Sequence, residues 1–383
     1  MKVLQLGKFY PIRGGVEKVM WTLAQGLSEA GVDCDMVCAT LKPGEVDPED
    51  RDKIVPGSEP QVLRFNEHGR VICLPAWKNI AATMICPAMI GWMRRHCKEY
   101  DIVHVHHPDP MACLALFLSG YKGKVVVHWH SDILKQKVIL KFFKPLQDWM
   151  LRRADKILGT TPVYVQQSPH LQAYQDKIDY LPIGIQRMAP APEACKEIRD
   201  RYHGKKIIFS LGRLVEYKGF SYLVEAAKYL PDDYIVAIGG TGPLKADLEA
   251  QITENSLGNK VALLGWMSDA EVDGWFHACD LFALSSVMKT EAFAIVQIEA
   301  MSCGKPVVST DIPGSGVAWV NKHGDSGLVV PIKDPEAFAG AVVKILESDV
   351  VYMEFSQRAL ARFEANFLVD AMIRRCMDVY AAL

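Results

Sequence analysis

Short apolar segments alternate with helical patterns along much of this chain, and the alternation limits the possible folds more than any other feature. In the second half, segments with helical periodicity follow apolar runs at 206–212, 234–239, 261–265, 280–284 and 305–310. Strands that alternate with helices predict parallel strands joined by crossover helices, and hence a doubly wound α/β sheet. The first half contains further apolar runs of strand length, at 2–7, 32–40, 101–106 and 124–130.

The length of the chain indicates two domains. A chain of 383 residues is too long for one ordinary hydrophobic core. The segment 182–195 contains three prolines and little periodicity, which is typical of an interdomain linker. We therefore expect one domain at 1–184, a second at 185–365, and a C-terminal helix at 366–383 that could cross back to the first domain.

The charge balance and the cysteines restrict the partners and the compartment. With 43 Lys and Arg against 45 Asp and Glu, the net charge of −2 gives no basic field for nucleic acid. The ten cysteines contain no C-x-x-C pair, and the first residues resemble a strand rather than a signal peptide. The longest uncharged run, 79–93, contains Pro87 and is shorter than the roughly 20 residues of a membrane-spanning helix. A cytoplasmic protein is expected, with peripheral contact with the inner membrane face left open.

The stretch 285–304 carries the clearest chemical signal. An apolar run before it predicts a buried strand, and 294–301 predicts a helix with little exposed surface. Glu291 falls in the loop and Glu299 within the helix. The first turn of such a helix has free N–H groups at the carboxyl edge of a parallel sheet, which suits an anion. The sequence therefore predicts an anion site with two carboxylates beside it.

Three other loops could contribute to binding. Gly14 and Gly15 precede a predicted helix, where backbone can approach a phosphate or a sugar, although such a pair also occurs in plain turns. Arg213 and Lys218 follow a predicted strand and suit a diphosphate, although cations in loops are often only solvated. Gly242 lies in a Gly-Thr-Gly-Pro turn that lacks the third glycine of the dinucleotide fingerprint, so NAD binding is not expected.

Histidines gather at the ends of two predicted strands. Side chains alternate along a strand, so His104 and His106 share one face, as do His128 and His130. A zinc site is not favoured, because no Cys or carboxylate completes a familiar ligand spacing. His130 could line a ligand cleft or be structural, and the Ser-Asp pair after it resembles a helix cap facing the cleft. The D-x-D matches at 33–35 and 50–52 are attributed to chance, so no metal site is predicted.

The segment 133–156 is a basic amphipathic helix with two interpretations. Lysines and arginines alternate with aromatic and aliphatic residues, a pattern that suits an anionic membrane surface. It equally suits a helix that packs on the sheet and exposes a solvated basic face. We favour packing, because Pro145 is expected to break the helix and the sheet needs a cover in any case.

Several segments together resemble the family 4 glycosyltransferases of the GT-B type. They are GGVEKV at 14–19, HSDI at 130–133, ADKILGTTPVY at 154–164, GRLVEYKGF at 212–220, GTGPL at 240–244, TEAFAIVQIEAMSCGKPVVST at 290–310, which contains the E-x7-E motif of the family, and WVNKHGDSGLVV at 319–330. The resemblance covers nearly the full length. It is greatest to bacterial mannosyl- and rhamnosyltransferase-type enzymes of surface polysaccharide and lipopolysaccharide assembly.

The resemblance implies two Rossmann-like domains that face each other across a cleft, with the acceptor on the first and the donor on the second. It implies retaining transfer of a hexose from a GDP-, UDP- or dTDP-sugar to a hydroxyl of a glycan or lipid-linked glycan, with no cofactor and no essential metal. Two residues would then act on the donor sugar, Glu291 at its hydroxyls and His130 at its pocket. The implied donor-binding residues are Gly14, Gly15, Arg213, Lys218, Gly242, Ala294, Ile295 and Glu299.

One position departs from the family pattern. Ala294 stands where the family commonly has glycine, and we expect it to be tolerated as a good helix former beside the phosphate.

Three other functions fit the same fold less well. An epimerase should lack the E-x7-E arrangement together with RLVEYKG, and a phosphorylase needs a cofactor-bound lysine in a longer chain. A nucleotide-sugar binding module without activity should have lost Glu291, Arg213 or Lys218, and all of these are present.

Overall fold

The structure is a computed structural model that describes residues 1–12, 14–42, 44–80, 83–133 and 137–383, with the backbone alone for 137–142. It divides the chain into two compact units. The first comprises Met1–Gly184 and Val369–Leu383, and the second comprises Ile185–Leu368.

Strands and helices alternate along most of the first unit. In chain order they are β1 (Lys2–Phe9), α1 (Gly15–Glu29), β2 (Asp33–Thr40), β3 (Gln61–Asn66), β4 (Gly69–Pro75), β5 (Lys78–Ile80), β6 (Thr83–Ile85), α2 (Pro87–His96), β7 (Ile102–His107), α3 (Pro110–Ser119), β8 (Lys124–Trp129), α4 (Lys137–Arg153), β9 (Lys156–Gly159), α5 (Pro162–Gln167) and β10 (Ile178–Tyr180). The exception lies between β2 and α2, where four further strands follow one another.

The second unit continues the alternation, and the last helix returns to the first unit. The elements are α6 (Pro192–Arg201), β11 (Lys206–Leu211), α7 (Phe220–Ala226), β12 (Tyr234–Gly239), α8 (Lys245–Glu254), β13 (Val261–Gly265), α9 (Asp269–Ala278), β14 (Leu281–Leu284), α10 (Ile295–Ser302), β15 (Val307–Asp311), α11 (Val317–Val320), β16 (Gly327–Pro331), α12 (Pro335–Leu346), α13 (Asp349–Asn366) and α14 (Val369–Ala381).

Both units contain a parallel sheet whose strand order reverses at one point. The first sheet has the order β10-β9-β8-β7-β1-β2-β4-β3, in which the edge strand β3 is antiparallel to β4. The second has the order β13-β12-β11-β14-β15-β16 and is parallel throughout. The order reverses between β1 and β7 and between β11 and β14. Ligands of doubly wound sheets bind outside the carboxyl ends of the strands at such a point.

The central strands of both sheets are buried on both faces, which explains their continuous apolar runs. β12 is buried at every position. In the second unit, Val236 and Leu281 of the sheet share a core with Leu223 of α7 and Ile345 of α12. The predicted parallel α/β sheets are confirmed. Within the residues that the structure describes, no helix is both long enough and apolar enough to cross a bilayer.

The basic helix differs from its prediction. α4 runs continuously from Lys137 to Arg153 with Pro145 inside it, so the expected break at Pro145 is wrong. Pro145 and Lys144 are exposed, whereas Phe143, Met150 and Leu151 are buried. The described side chains of α4 therefore cover the sheet. The residues at 134–136, which the prediction included, lie outside the described part of the chain.

Candidate functional site

In the second unit, the loop after β11 is fixed against the loop after β14. Gly219 has φ +66°, and a Cβ atom there would lie 2.1 Å from the carbonyl oxygen of Ser285. The Ser285 hydroxyl donates to the carbonyl oxygen of Lys218 at 2.9 Å, and the Val287 N–H donates to that of Tyr217 at 2.8 Å. Only glycine combines this backbone conformation with so close an approach. These contacts bring the predicted residues Lys218 and Glu291 to the point where the strand order reverses.

Lys218 and Glu291 form a buried ion pair at this point. The Lys218 Nζ lies 2.6 Å from the Glu291 Oε2, and their side chains are 12% and 11% exposed. The Ser286 hydroxyl donates to the same Oε2 at 3.0 Å, and the Ser315 hydroxyl donates to the Glu291 carbonyl oxygen. Burial lowers the pKa of Lys218, but the Glu291 carboxylate and the neighbouring Tyr217 together outweigh it, so the pKa is raised above its usual value. The lysine therefore remains a cation, with further N–H groups to donate.

Arg213 lies in the loop after β11, and Gly242 lies in the loop after β12, which packs against it. Arg213 is exposed, and its guanidinium has no ion-pair partner among the described residues. A Cβ atom at Gly242 would lie 2.4 Å from the Leu214 carbonyl oxygen, so the loop after β12 contacts the backbone beside Arg213. The Leu214 N–H also donates to the Thr241 carbonyl oxygen at 2.9 Å. The β12 loop thus supports the arginine loop from behind, and the guanidinium is left for solvent or a ligand.

The helix α10 begins one residue later than predicted. Ala294 is its N-cap, with φ +61° and ψ +81°, and Ile295 is its first helical residue. The expectation that Ala294 fits as a good helix former is therefore wrong, because its backbone is left-handed and favours glycine. The Gln297 N–H donates to the Ala294 carbonyl oxygen at 3.0 Å, whereas the N–H groups before it lack a partner within the helix. Glu299 lies one turn further on and is half-buried.

The corresponding edge of the first unit is built around Gly14 and a buried lysine. Gly14 is the N-cap of α1, which begins at Gly15. A Cβ atom at Gly14 would lie 2.3 Å from the Glu17 Oε2, so a carboxylate already covers this glycine. The Lys8 ammonium donates to the Pro108 carbonyl oxygen at 2.6 Å, and the Lys8 N–H donates to the Asp109 carboxylate at 2.5 Å. The carboxylate over Gly14 opposes a phosphate and favours a hydroxyl donor at this position.

The sequence prediction missed Lys8, Glu17 and the two serines that hold Glu291. Lys8 has φ +61°, and burial lowers the pKa of its ammonium. Lys8 could have been identified as a candidate site residue, because a charged residue stands between the predicted strand and Gly14. Ser286 lies two residues beyond the end of β14, which was a weaker signal. Nothing local identifies Ser315, since its contact with Glu291 spans 24 residues.

A stacked, buried cluster is formed by His104 and His106 of β7, His128 of β8, and His130. The ring centroids of His128 and His130 are 4.0 Å apart, and those of His106 and His130 are 5.2 Å apart. Burial, followed by the neighbouring histidines, holds the pKa values of His106 and His130 well below 6.5. Burial lowers the pKa of His128 to about 3. The cluster is therefore neutral at physiological pH.

The cluster could supply nitrogen ligands, but its geometry does not fit a metal ion. Ligand atoms of His104, His106 and His128 all lie within 4.8 Å of one another. However, the rings stack with interplanar angles of 12°, 27° and 36°, so their in-plane lone pairs do not converge on one point. Both nitrogens of His106 also have protein partners, at 2.9 and 2.8 Å.

Asp132, which the sequence suggested as a helix cap, binds three side chains of the first unit. Its carboxylate accepts hydrogen bonds from the Trp129 indole at 2.9 Å and from the Ser168 hydroxyl at 2.7 Å. Its backbone N–H donates to the Tyr164 hydroxyl at 2.8 Å. The residues that Asp132 would cap, 134–136, lie outside the described part of the chain, and the described contacts of Asp132 fix the loop that carries His130.

Three of the four carboxylates of the D-x-D matches are paired with protein groups. Asp35 binds Arg70 through two hydrogen bonds of 3.1 Å, and Asp50 accepts from the Tyr10 hydroxyl at 2.9 Å. Asp33 lies 2.9 Å from the His68 ring.

Comparison with known proteins agrees with this architecture. Residues 193–362 match the family described as Glycosyl transferases group 1, and residues 13–187 match Glycosyltransferase Family 4. A solved structure of HepE from Anabaena in complex with UDP superposes with a TM-score of 0.79 over 100% of both chains at 20% identity. Two Rossmann-like units, each with a parallel sheet, together with this similarity, define the GT-B fold.

Two curated relatives are similar over nearly their whole length. The D-rhamnosyltransferase WbpZ of Pseudomonas aeruginosa is 30% identical over 96% of this chain and 92% of its own. The O-antigen chain mannosyltransferase C of Escherichia coli is 28% identical over 100% of this chain and 99% of its own. The chain belongs to the family 4 (group 1) glycosyltransferases, as its motifs indicated.

Proposed function

We propose that the protein is a retaining hexosyltransferase that moves a mannose-type sugar from a nucleoside diphosphate to a hydroxyl of a glycan or lipid-linked glycan in surface polysaccharide or lipopolysaccharide assembly. The observation that carries the proposal is the buried Lys218–Glu291 pair at the strand-order reversal. The names of the full-length relatives support a mannosyl or rhamnosyl donor, and the UDP in the HepE structure supports a nucleotide donor.

The donor diphosphate would bind between Lys218, Arg213 and the first turn of α10. One N–H of the Lys218 ammonium is directed at Glu291, which leaves others for phosphate oxygens. The exposed Arg213 guanidinium supplies a planar pair of donors. The N–H groups of Ala294 and Ile295 add the positive end of a helix. These groups neutralise charge that grows on the departing diphosphate, so they stabilise the transition state more than the ground state.

Glu291 and Glu299 would have different tasks. Glu291, fixed by Ser286 and Lys218, would accept hydrogen bonds from the hydroxyl groups of the donor sugar near the anomeric carbon. Glu299, which lies one turn into α10, would accept hydrogen bonds from the ribose hydroxyls of the nucleotide. In the first unit, His130 and the backbone at Gly14 and Gly15 would bind the donor sugar. The departing phosphate would take the proton of the attacking hydroxyl on the same face, so that configuration is retained without a separate general base or a metal ion.

The acceptor would use a cavity of about 770 Å³ in the first unit. Its lining includes the end of β4 at Leu74 and Pro75, Gln61 at the start of β3, and Trp92 and Arg95 of α2. The volume suits a sugar-sized ligand. Arg95→Ala should raise the acceptor KM and leave donor hydrolysis unchanged. A fall in donor hydrolysis equal to the fall in transfer would contradict this location.

The hairpin of β5 and β6 would provide the membrane contact. Trp77 is 79% exposed and Ile80 is 51% exposed, and the adjacent Lys78 is also exposed. An aromatic residue beside a cation suits the interface of an anionic bilayer. Trp77→Ser should reduce sedimentation with anionic liposomes. Trp266→Ser, which removes an equally exposed tryptophan (74%) from the second unit, should not. Equal effects of the two substitutions on sedimentation would exclude the hairpin as the membrane contact.

A donor panel tests the proposed reaction. GDP-mannose, UDP-glucose and dTDP-rhamnose are compared for thermal stabilisation and slow hydrolysis, with and without EDTA. One donor should stabilise the protein and be hydrolysed with retention of the anomeric configuration, unaffected by EDTA. Hydrolysis with inversion would refute the retaining mechanism, and no response to any nucleotide sugar would refute the donor class.

A further inference from the structure

A line of hydrogen-bonded side chains joins the C-terminal helix α14 to His130 within the first unit. The Gln5 Nε2 donates to the Tyr380 hydroxyl at 3.0 Å. The Gln5 Oε1 lies 2.8 Å from the His106 Nε2, and the His106 Nδ1 lies 2.9 Å from the His130 Nε2. All four side chains are buried, and none is more than 4% exposed. They are separated by up to 375 residues in sequence, so the fold assembles this line.

The line determines which nitrogen of each histidine carries the proton. An amide oxygen only accepts hydrogen bonds, so the His106 Nε2 that faces the Gln5 Oε1 must be the protonated one. A neutral imidazole has one N–H, and therefore the His106 Nδ1 is a bare acceptor. It can accept only from the His130 Nε2, which must then carry the His130 proton. The His130 Nδ1 is left without a proton.

That nitrogen is a buried acceptor with no hydrogen-bond partner among the described residues. A buried acceptor without a partner costs free energy that a ligand donor can recover. Sugar hydroxyls are donors of the required kind. Asp132 and its partners hold the loop after β8 in place, so the lone pair has a fixed direction.

We propose that Tyr380 and Gln5 are positioning residues, which orient the Gln5 amide and so fix His130 as a hydrogen-bond acceptor at Nδ1 for a hydroxyl of the substrate. The assignment to a substrate hydroxyl rests on the proposed glycosyl transfer, whereas the assignment of the tautomer does not. Tyr380 acts through the Gln5 amide nitrogen, which faces the phenol oxygen at 3.0 Å and the Cys34 sulfur at 3.9 Å. The phenol also lies 2.6 Å from the His104 Nδ1, and an O–H that donates there leaves the phenol oxygen to accept from the amide N–H. The reverse orientation of the amide would invert every donor along the line and leave His130 with a proton on Nδ1.

The tautomer is measured directly in the full chain labelled with ¹⁵N-histidine. Long-range ¹H–¹⁵N correlation distinguishes the protonated from the bare ring nitrogen, and His130→Gln identifies the signals of His130. The ligand-free protein should show the His130 proton on Nε2. A proton on Nδ1, or an even mixture of the two tautomers, would overturn the proposal whatever the enzyme transfers.

Variants test the role of the line in catalysis. Tyr380→Phe and Gln5→Met should each give a mixture of His130 tautomers and lower kcat up to about tenfold, with little change in the donor KM. Ile373→Val removes a buried methyl group from the same helix, where Ile373 packs on Gly26. It should leave both the tautomer and kcat unchanged. If Tyr380→Phe and Gln5→Met both keep the wild-type tautomer of His130, the proposal is overturned, even if their activity falls.

Discussion

The buried pair of Lys218 and Glu291 should show strong energetic coupling. Both side chains are about nine-tenths buried and their charged atoms are 2.6 Å apart, so solvent screens them little. Lys218→Met leaves the Glu291 carboxylate buried with the Ser286 hydroxyl as its remaining described partner for Oε2. Removing one partner of a buried pair costs about 3–5 kcal/mol, whereas removing both charges is far milder. The double variant with Glu291→Gln should therefore be more stable than either single variant.

A double-mutant cycle measures this coupling. Urea unfolding of the wild type, the two single variants and the double variant should give an interaction free energy of about 3 kcal/mol. The control pair is Lys245 and Glu249 of α8, which are 3.6 Å apart and more than half exposed. An exposed pair of this kind should give about 0.3–0.5 kcal/mol. Coupling at Lys218 and Glu291 as weak as in the control would refute the assignment of a buried, charged pair.

The same variants separate stability from catalysis. The double variant should fold nearly as well as the wild type but should transfer no sugar, because it lacks the cation for the diphosphate and the carboxylate for the sugar. Transfer by the double variant at near the wild-type rate would show that the pair is only structural.

Three further substitutions test the local backbone and the histidine cluster. Ala294→Gly should change the free energy of unfolding by less than about 1 kcal/mol, because relief of left-handed strain offsets the entropy of glycine; Ala300→Gly inside α10 should cost more than about 1 kcal/mol, and equal costs in urea titration would contradict the strain at Ala294. Gly219→Ala should lower stability by about 2–3 kcal/mol in the same titration, whereas Gly258→Ala, where a Cβ atom has no neighbour within 4 Å, should be neutral; a neutral Gly219→Ala would disprove the close approach to Ser285. Burial lowers the pKa of His128 from 6.5 to about 3, so the unfolded chain binds this proton first and stability is lost as the pH falls from 6.5 towards 3. His128→Phe should remove up to about 1.4 kcal/mol per pH unit from that slope in urea titrations at stepped pH, and an unchanged slope would show that His128 is not buried and neutral.

The sequence predicted the architecture because its periodic signals are local. Alternating strands and helices indicated parallel sheets, and Lys218 and Glu291 were expected at one edge because both follow strands. Their direct contact was not predictable from spacing, since it depends on Gly219 packing on Ser285. The segments that form β4, β5 and β6 were not assigned to strands. Two of those strands are only three residues long and carry no clear alternation.

The wrong predictions arose where tertiary contacts override local preference. Ala294 continues an apolar helical pattern, but the Gly316 N–H donates to the Ala292 carbonyl oxygen at 2.9 Å and fixes the loop before α10. Pro145 has an unfavourable intrinsic preference within a helix, yet buried neighbours such as Met150 hold α4 on the sheet. The line from Tyr380 to His130 joins opposite ends of the chain, so no local pattern indicates it.

Calorimetric titration of the nucleoside diphosphate released from the active donor tests the central claim most directly. If Lys218 holds the diphosphate, Lys218→Met should weaken binding by about 10- to 100-fold, as expected for loss of a charged hydrogen bond. Lys228→Met, which removes an exposed cation of the same unit, should bind as the wild type does. Binding by Lys218→Met within twofold of the wild type would contradict the assignment of this site to the donor.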